Sequence, residues 1–373
     1  MQFDTSSRDS QGTSVTPIDP QSFDFEQYAD YAKALDQKVK PFMESDSGVL
    51  VYRRYRVAEV FADGCRDMKN SLSLQLAALQ QSMNYKADVA NFLEPWYGIG
   101  STPAAFGAEY IWHPGQAPAT KPLFDSIQEA LDYDILPIAE TEPGKKTLEY
   151  IDYFLETTRG LVPMSMSDIQ SPINAAGNIV DISKLFLEMI DEPEKYGQFL
   201  DTITELILEF LLKQRIMIGD RLVLPGHGFA SSRFMKGVGL SDDNIVMISN
   251  ASYRRFDAPD RERLGEPFGG VAFHSCGNWE KKIPAVKSIG NLVEVDGAFS
   301  ASTDPDPNVP EAFRDAFKET GIILHARMVG DSTEIVEIVK RIWSPGLKLI
   351  VCTYCQSPED QARAYDLIHE ICQ

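Results

Sequence analysis

His274 and Cys276 stand two residues apart in His274-Ser275-Cys276-Gly277, directly after the apolar run 270–273. Side chains two apart on an extended strand share a face, so an imidazole and a thiolate can point the same way. Two more cysteines, Cys352 and Cys355, follow the apolar run 347–351 near the end of the chain. One histidine with two cysteines is a ligand set that zinc prefers. Three protein ligands leave the fourth position exchangeable, as in catalytic rather than structural sites. Unliganded cysteine is also a common core residue, so this pattern alone leaves both zinc and buried thiols open.

The elements that must position these residues are short apolar runs alternating with helical segments. Strands are expected at 88–94, 108–112, 161–166, 221–225, 270–275, 292–296, 321–326 and 347–352. Their runs are continuous rather than alternating, as in parallel strands buried on both faces. Helical segments such as 178–217, 278–289 and 332–343 lie between them. Eight strands alternating with helices predict an α/β fold, a single (β/α)8 TIM barrel. Residues 1–24, rich in Ser, Thr, Asp, Gln and Pro, are expected to be a disordered or loosely draped lead. Residues 25–84 are expected to form a helical extension, and 85–373 the barrel.

Barrel active sites lie at the C-terminal ends of the strands and in the loops that follow. Those positions hold Glu94, Trp96 and Tyr97; Asp168 and Gln170; His227; His274 and Cys276; Glu294 and Asp296; His325 and Arg327; Cys352 and Cys355. The chain has 373 residues, 35 Lys plus Arg against 55 Asp plus Glu, and a net charge of −20. Such an acidic surface repels phosphate backbones and anionic lipid, so neither nucleic acid nor a membrane surface is an expected partner. The polar N-terminus has no apolar core of a secretory signal. With an odd count of five cysteines, that predicts reduced thiols in a cytoplasm. No phosphate loop, dinucleotide fingerprint or nucleophile elbow occurs.

The segment HSCGN (274–278) resembles a motif of the uroporphyrinogen decarboxylase superfamily, specifically of its cobamide-dependent methyltransferase branch. Three longer stretches resemble the same family: FLEPWYGIGSTPAAFGAEY (92–110), 167–204, and 237–278 leading into the H-x-C strand. The resemblance implies that His274, Cys276 and a later cysteine bind zinc, which holds an acceptor thiol for methylation by a methylcobamide on a partner corrinoid protein. Cys355, in the loop before Ser357-Pro358, is the preferred third ligand and Cys352 the alternative. Asp296, with Glu294 second, stands where a carboxylate would fill the fourth zinc position. Coenzyme M, homocysteine and a folate-type compound are all candidate acceptors.

The decarboxylase branch carries an R-Q-A-G-R-Y type segment, which is absent here. The nearest cluster, Tyr52-Arg53-Arg54-Tyr55-Arg56, is expected to be a solvated or salt-bridged face. Among lesser candidates, Asp168 and Gln170 could hydrogen-bond the acceptor, or Asp168 could serve a helix start before Ser171-Pro172. His227, between two glycines, could approach a ligand, and Asp242 lies in a mouth loop or a turn. Trp96 and Tyr97 could rim a flat corrin ring or close the core, and Arg327 could neutralise a substrate anion. No function is expected of His113, His369, Cys65 or Cys372. The expected activity is zinc-dependent methyl transfer from methylcobamide to a thiol or related acceptor. The alternatives are metal-free decarboxylation with Asp168 as the acidic residue, and a non-catalytic barrel that docks a corrinoid protein.

Overall fold

Continuous apolar runs build a parallel sheet, because both faces of each strand are covered. A computed structural model describes residues 12–373. Its strands are β1 (Gly48–Arg53), β2 (Val238–Ser241), β3 (Val271–His274), β4 (Leu292–Ala298), β5 (Ile323–Met328) and β6 (Lys348–Thr353). They pair in the order β1-β6-β5-β4-β3-β2, and every ladder is parallel.

Single bridges span the rest of the ring. Asp88 N–H donates to Val51 O at 2.8 Å, and Leu93 bridges to Met164 and Met164 to Leu222 in parallel. Higher up, Gln170 bridges to Ser241 of β2, and Gly239 N–H donates to Pro225 O. The segment 221–225 and β2 therefore share one position, which makes the ring an eight-position barrel of the TIM type with an irregular seam. Among the described residues, no helix is long and apolar enough to cross a membrane.

Two expectations change. The run 108–112 is not a barrel strand: Ile111 makes one antiparallel bridge to Ala119, and Tyr110 and Trp112 pack on Tyr97. The missing strand is β1, inside the stretch 25–84 that was expected to be helical throughout. A buried strand of six residues has no period that sets it apart from a helical segment. The helices there are α1 (Phe25–Glu44) and α2 (Met68–Ser82). Of the expected lead, residues 1–11 lie outside the described residues. Residues 12–24 lie along the fold, with Thr13 N–H on Arg56 O, Ile18 N–H on Ser73 O, and Phe23 buried.

Alternation along the strands separates two apolar layers. Leu50, Tyr52, Ile323, Ile350, Cys352 and Tyr354 share the inner cluster. Val51, Leu324, Ala326, Leu349 and Val351 belong to the outer one, against the helices. Of these helices, α3 (Pro172–Ile179) starts at Ser171, whose hydroxyl accepts from Asn174 N–H. Helices α4 (Asn250–Gly265) and α5 (Pro358–Ile371) flank the sheet further on.

Two buried polar nodes fasten the frame. Asp88 accepts from Val51 N–H at 2.9 Å, Tyr365 hydroxyl at 2.5 Å, His369 Nε2 at 2.8 Å and Lys38 Nζ at 3.2 Å, which ties β1 to α1 and α5. Burial pushes its carboxyl up, but hydrogen bonds from His369, Tyr365 and Val51 outweigh this and hold it below the ordinary value. The second node is Arg261 on α4, fully buried and ion-paired with Asp242 in the loop after β2. Asp257 lies beside them, and neither of its oxygens has a hydrogen-bond partner. Burial, and then the Asp242 charge, push Asp257 well above the usual carboxylate range.

Asp88→Asn is expected to cost about 2–4 kcal/mol at pH 7, read from urea midpoints. The folded carboxyl is depressed, so its contribution is complete above the unfolded value of about 3.9 and is lost as pH falls through the folded value. A wild-type advantage of the same size at pH 7 and pH 2.5 would contradict this. At the second node, Asp242→Asn strands a buried guanidinium and should cost about 3–5 kcal/mol. Asp257→Asn changes a carboxyl whose oxygens have no hydrogen-bond partner and should stay within about 1 kcal/mol. Equal losses in thermal unfolding would refute the assigned charges.

Candidate active site at the barrel mouth

Strand β3 delivers His274 to the mouth, and the chain turns so that Cys276 Sγ lies 3.5 Å from His274 Nε2. Asp243, just after β2, accepts from Cys276 N–H at 2.7 Å. One ligand atom each from Asp243, His274 and Cys276 falls within 4.8 Å of the others. Trp279 pins the loop: it is fully buried, packs edge-on against Phe273 and Phe313, and donates Nε1–H to Asp296 O at 3.0 Å.

Asp296 stands behind the histidine. Its Oδ1 is 3.3 Å from His274 Nδ1 and 2.9 Å from Arg327 Nε, and its Oδ2 is 3.4 Å from His325 Nδ1. Ala230 N–H donates to His325 Nε2 at 3.1 Å, so the His325 proton sits on Nδ1, facing Asp296. Burial works against the Asp296 charge, but Arg327 and His274 outweigh it and hold this carboxyl well below the ordinary range. Burial likewise disfavours charge on His274, yet Asp296 and Cys276 raise it well above its usual value. With Nδ1–H turned to Asp296, His274 presents Nε2 to Cys276 and Asp243. That is the orientation a metal-ligating histidine takes from a carboxylate behind it. Asp296 therefore sits behind the ligand instead of beside it, and Arg327 is engaged by Asp296. Glu294 is fully buried and both of its oxygens lack a hydrogen-bond partner.

The two C-terminal cysteines face opposite ways. Cys352 belongs to the inner barrel cluster and is the register partner of Arg327 on β5 and Tyr52 on β1. Cys355 belongs to the outer cluster, where burial and Asp360 push its thiol up to about 12. Two-residue alternation places Cys352 and Tyr354 on the barrel side and leaves Cys355 outside.

Across the mouth, Glu94 Oε2 lies 2.6 Å from His227 Nδ1, and Asp168 Oδ2 lies 3.6 Å from Nε2. Gly226 and Gly228, at φ of +111° and +82°, allow the tight turn that presents His227. Glu94 also lines a cleft with Tyr52, Arg54, Arg56, Phe61 and Asn91.

The remaining candidates divide. Gln170 Oε1 accepts from Asn174 Nδ2 at 2.8 Å. Asp242 is fully buried with Arg261, and its neighbour Asp243 is the one that faces the cluster. Trp96 packs edge-on against Phe61, at the cleft. Tyr97 lies in an aromatic group with Tyr110, Trp112 and Tyr150, its hydroxyl on Glu142.

The arginine cluster is not a solvated face. Arg53 and Arg54 are buried because a strand turns alternate side chains inward and outward. Arg53 stacks on Tyr55 and Tyr85, while Arg54 and Arg56 line the cleft. The sequence pointed to the pair Asp242-Asp243 but put Asp242 forward as the site residue, and the Glu94–His227 contact was not singled out. The doublet Asp242-Asp243 and the strand-end position of Glu94 were the available signals.

The uroporphyrinogen decarboxylase (URO-D) family profile matches residues 47–223. The methylated-thiol–coenzyme M methyltransferase of Methanosarcina mazei is 24% identical over 198 residues, 52% of this chain and 49% of that protein. The aligned stretch thus spans about half the length of this relative. A solved methyltransferase from Methanosarcina mazei matches 90% of this chain and 98% of its own, with a TM-score of 0.63 and 13% identity; at that identity the likeness speaks for the fold. A parallel barrel with its donor groups at the mouth, the family match over residues 47–223 and these two similarities point one way: the chain resembles the uroporphyrinogen decarboxylase superfamily and, within it, its methyltransferases.

Proposed function

We propose that this chain is a zinc-dependent methyltransferase that moves a methyl group from a methylcobamide, carried by a corrinoid protein, to a small thiol. The observation that carries the reading is the donor cluster of His274 Nε2, Cys276 Sγ and an Asp243 oxygen at the barrel mouth. Imidazole, thiolate and carboxylate are the donor types that zinc accepts. Cys352, on the inner face, is the better placed of the two C-terminal cysteines to join them. Zinc there would keep an acceptor sulfur deprotonated at neutral pH, where a free thiol is mostly protonated.

The chain's own residues do the positioning. Asp296 fixes the His274 tautomer, and Arg327 and His325 fix Asp296. Trp279 holds the Cys276 loop against β4. The cleft lined by Arg54, Arg56 and Phe61 offers cationic and apolar walls to a small organic anion. The thiol–coenzyme M chemistry named for the Methanosarcina mazei relative is of this acceptor class. Methylcobamide donor, corrinoid partner and cytoplasmic location belong to the same proposal.

Metal analysis of the purified protein should find about one zinc per chain, lost in Cys276→Ala together with methyl transfer from methylcobalamin to a thiol. Cys352→Ser should weaken zinc retention against a chelator at least about tenfold, while Cys355→Ser should retain it. A metal-free wild type that decarboxylates uroporphyrinogen would overturn the proposal.

A further inference from the structure

His227 is held as a proton acceptor is held. Its Nδ1 makes a 2.6 Å contact with Glu94, short enough for a charge-assisted hydrogen bond. Burial works against a charge on Glu94, but His227 and then Arg54 and Arg56 hold it below the ordinary value, so a carboxylate faces Nδ1–H. That bond leaves the lone pair on Nε2. Asp168 Oδ2 is 3.6 Å from Nε2, too far for a hydrogen bond.

Exposure follows the same division. The Glu94 and Asp168 side chains are 11% and 10% exposed, whereas His227 is 24% exposed. Phe61 packs edge-on against the His227 ring at 5.4 Å and lines the cleft that Glu94 borders. Phe229, two residues on, sets its ring 6.5 Å from that of His274. His227, after the segment 221–225, and His274, at the end of β3, therefore stand at neighbouring positions of the ring.

We propose that His227 is a catalytic base that takes the proton of the incoming acceptor thiol, with Glu94 as its positioning residue and Asp168 stabilising the imidazolium. This rests on the methyl-transfer reading. The S–H bond breaks, its electron pair stays on sulfur, and its proton goes to His227 Nε2, directly or through one water. The sulfur then forms its bond to the methyl carbon, and the bond between methyl and donor breaks with its pair left on the donor. Charge and atoms balance: the thiol loses a proton and gains a methyl group, and the imidazolium later returns the proton to solvent.

The test uses zinc-loaded full-length protein, methylcobalamin as donor and 2-mercaptoethanesulfonate as acceptor. His227→Ala should lower kcat by about 100-fold or more, with zinc content unchanged and thiol KM within about threefold. Added imidazole should restore at least about tenfold of the loss. Glu94→Gln, which keeps the ring but removes the charge that sets its tautomer, should lower kcat by at least about tenfold with the same zinc content. An active wild type whose His227→Ala and Glu94→Gln variants stay within threefold in kcat overturns the base assignment and leaves the methyltransferase reading standing. Failure of imidazole to rescue an otherwise folded, zinc-loaded His227→Ala also overturns it. A wild type inactive with the thiol overturns both readings together.

Discussion

The buried carboxylate of Asp296 is the interaction on which the mouth of this barrel depends. An isolated charge at that depth would carry a desolvation penalty of many kcal/mol. It is retained because three side chains from two neighbouring strands converge on it: His274 from β3, and His325 and Arg327 from β5. Removing any one would leave buried charge or buried N–H without its partner. The carboxylate thereby sets the tautomer of His274 from behind and makes Nε2, the nitrogen facing Cys276, the electron-pair donor. The position of Asp296 also explains why it is an orienting group: its Oδ1 is engaged by Arg327 and His274, and its Oδ2 lies 3.4 Å from His325 Nδ1.

The same parallel frame decides which of two nearby cysteines can take part. On β6 the inner and outer layers are one residue apart, so Ile350, Cys352 and Tyr354 enter the barrel while Leu349 and Val351 meet the helices. Cys355, past the strand end, falls in the outer layer. Arg53 and Arg54 obey the same rule on β1, one stacking on tyrosines outside and the other lining the mouth. A net charge of −20 says little about such local arrangements. The cations that matter here are few, and they sit opposite specific carboxylates.

How much of this was legible in the sequence depended on whether a feature is local. His274 and Cys276 lie two apart after an apolar run, and the strands β3 to β6 are continuous apolar stretches, so both could be read directly. Strand β1 could not, because six buried residues between two helical patterns carry no period of their own. The choice between Cys352 and Cys355 needed the strand's register, which three residues of spacing do not give. Asp243 was hidden behind Asp242, since two adjacent aspartates look alike until one is seen paired with Arg261 and the other with Cys276 N–H. Glu94 and His227 are 133 residues apart in the chain. Only the closure of the ring brings them together, and no local pattern encodes that contact.

The ring also brings two histidines to neighbouring positions, each held by its own carboxylate. At His227, Glu94 holds Nδ1 and Asp168 Oδ2 lies 3.6 Å from Nε2. At His274, Asp296 likewise holds Nδ1, and Nε2 points at the donor cluster. Each histidine thus has its nitrogens distinguished by a carboxylate. Strand position then determines whether the nitrogen left over meets a cluster of soft donors or a second carboxylate, and so whether it is suited to bind metal or to take a proton.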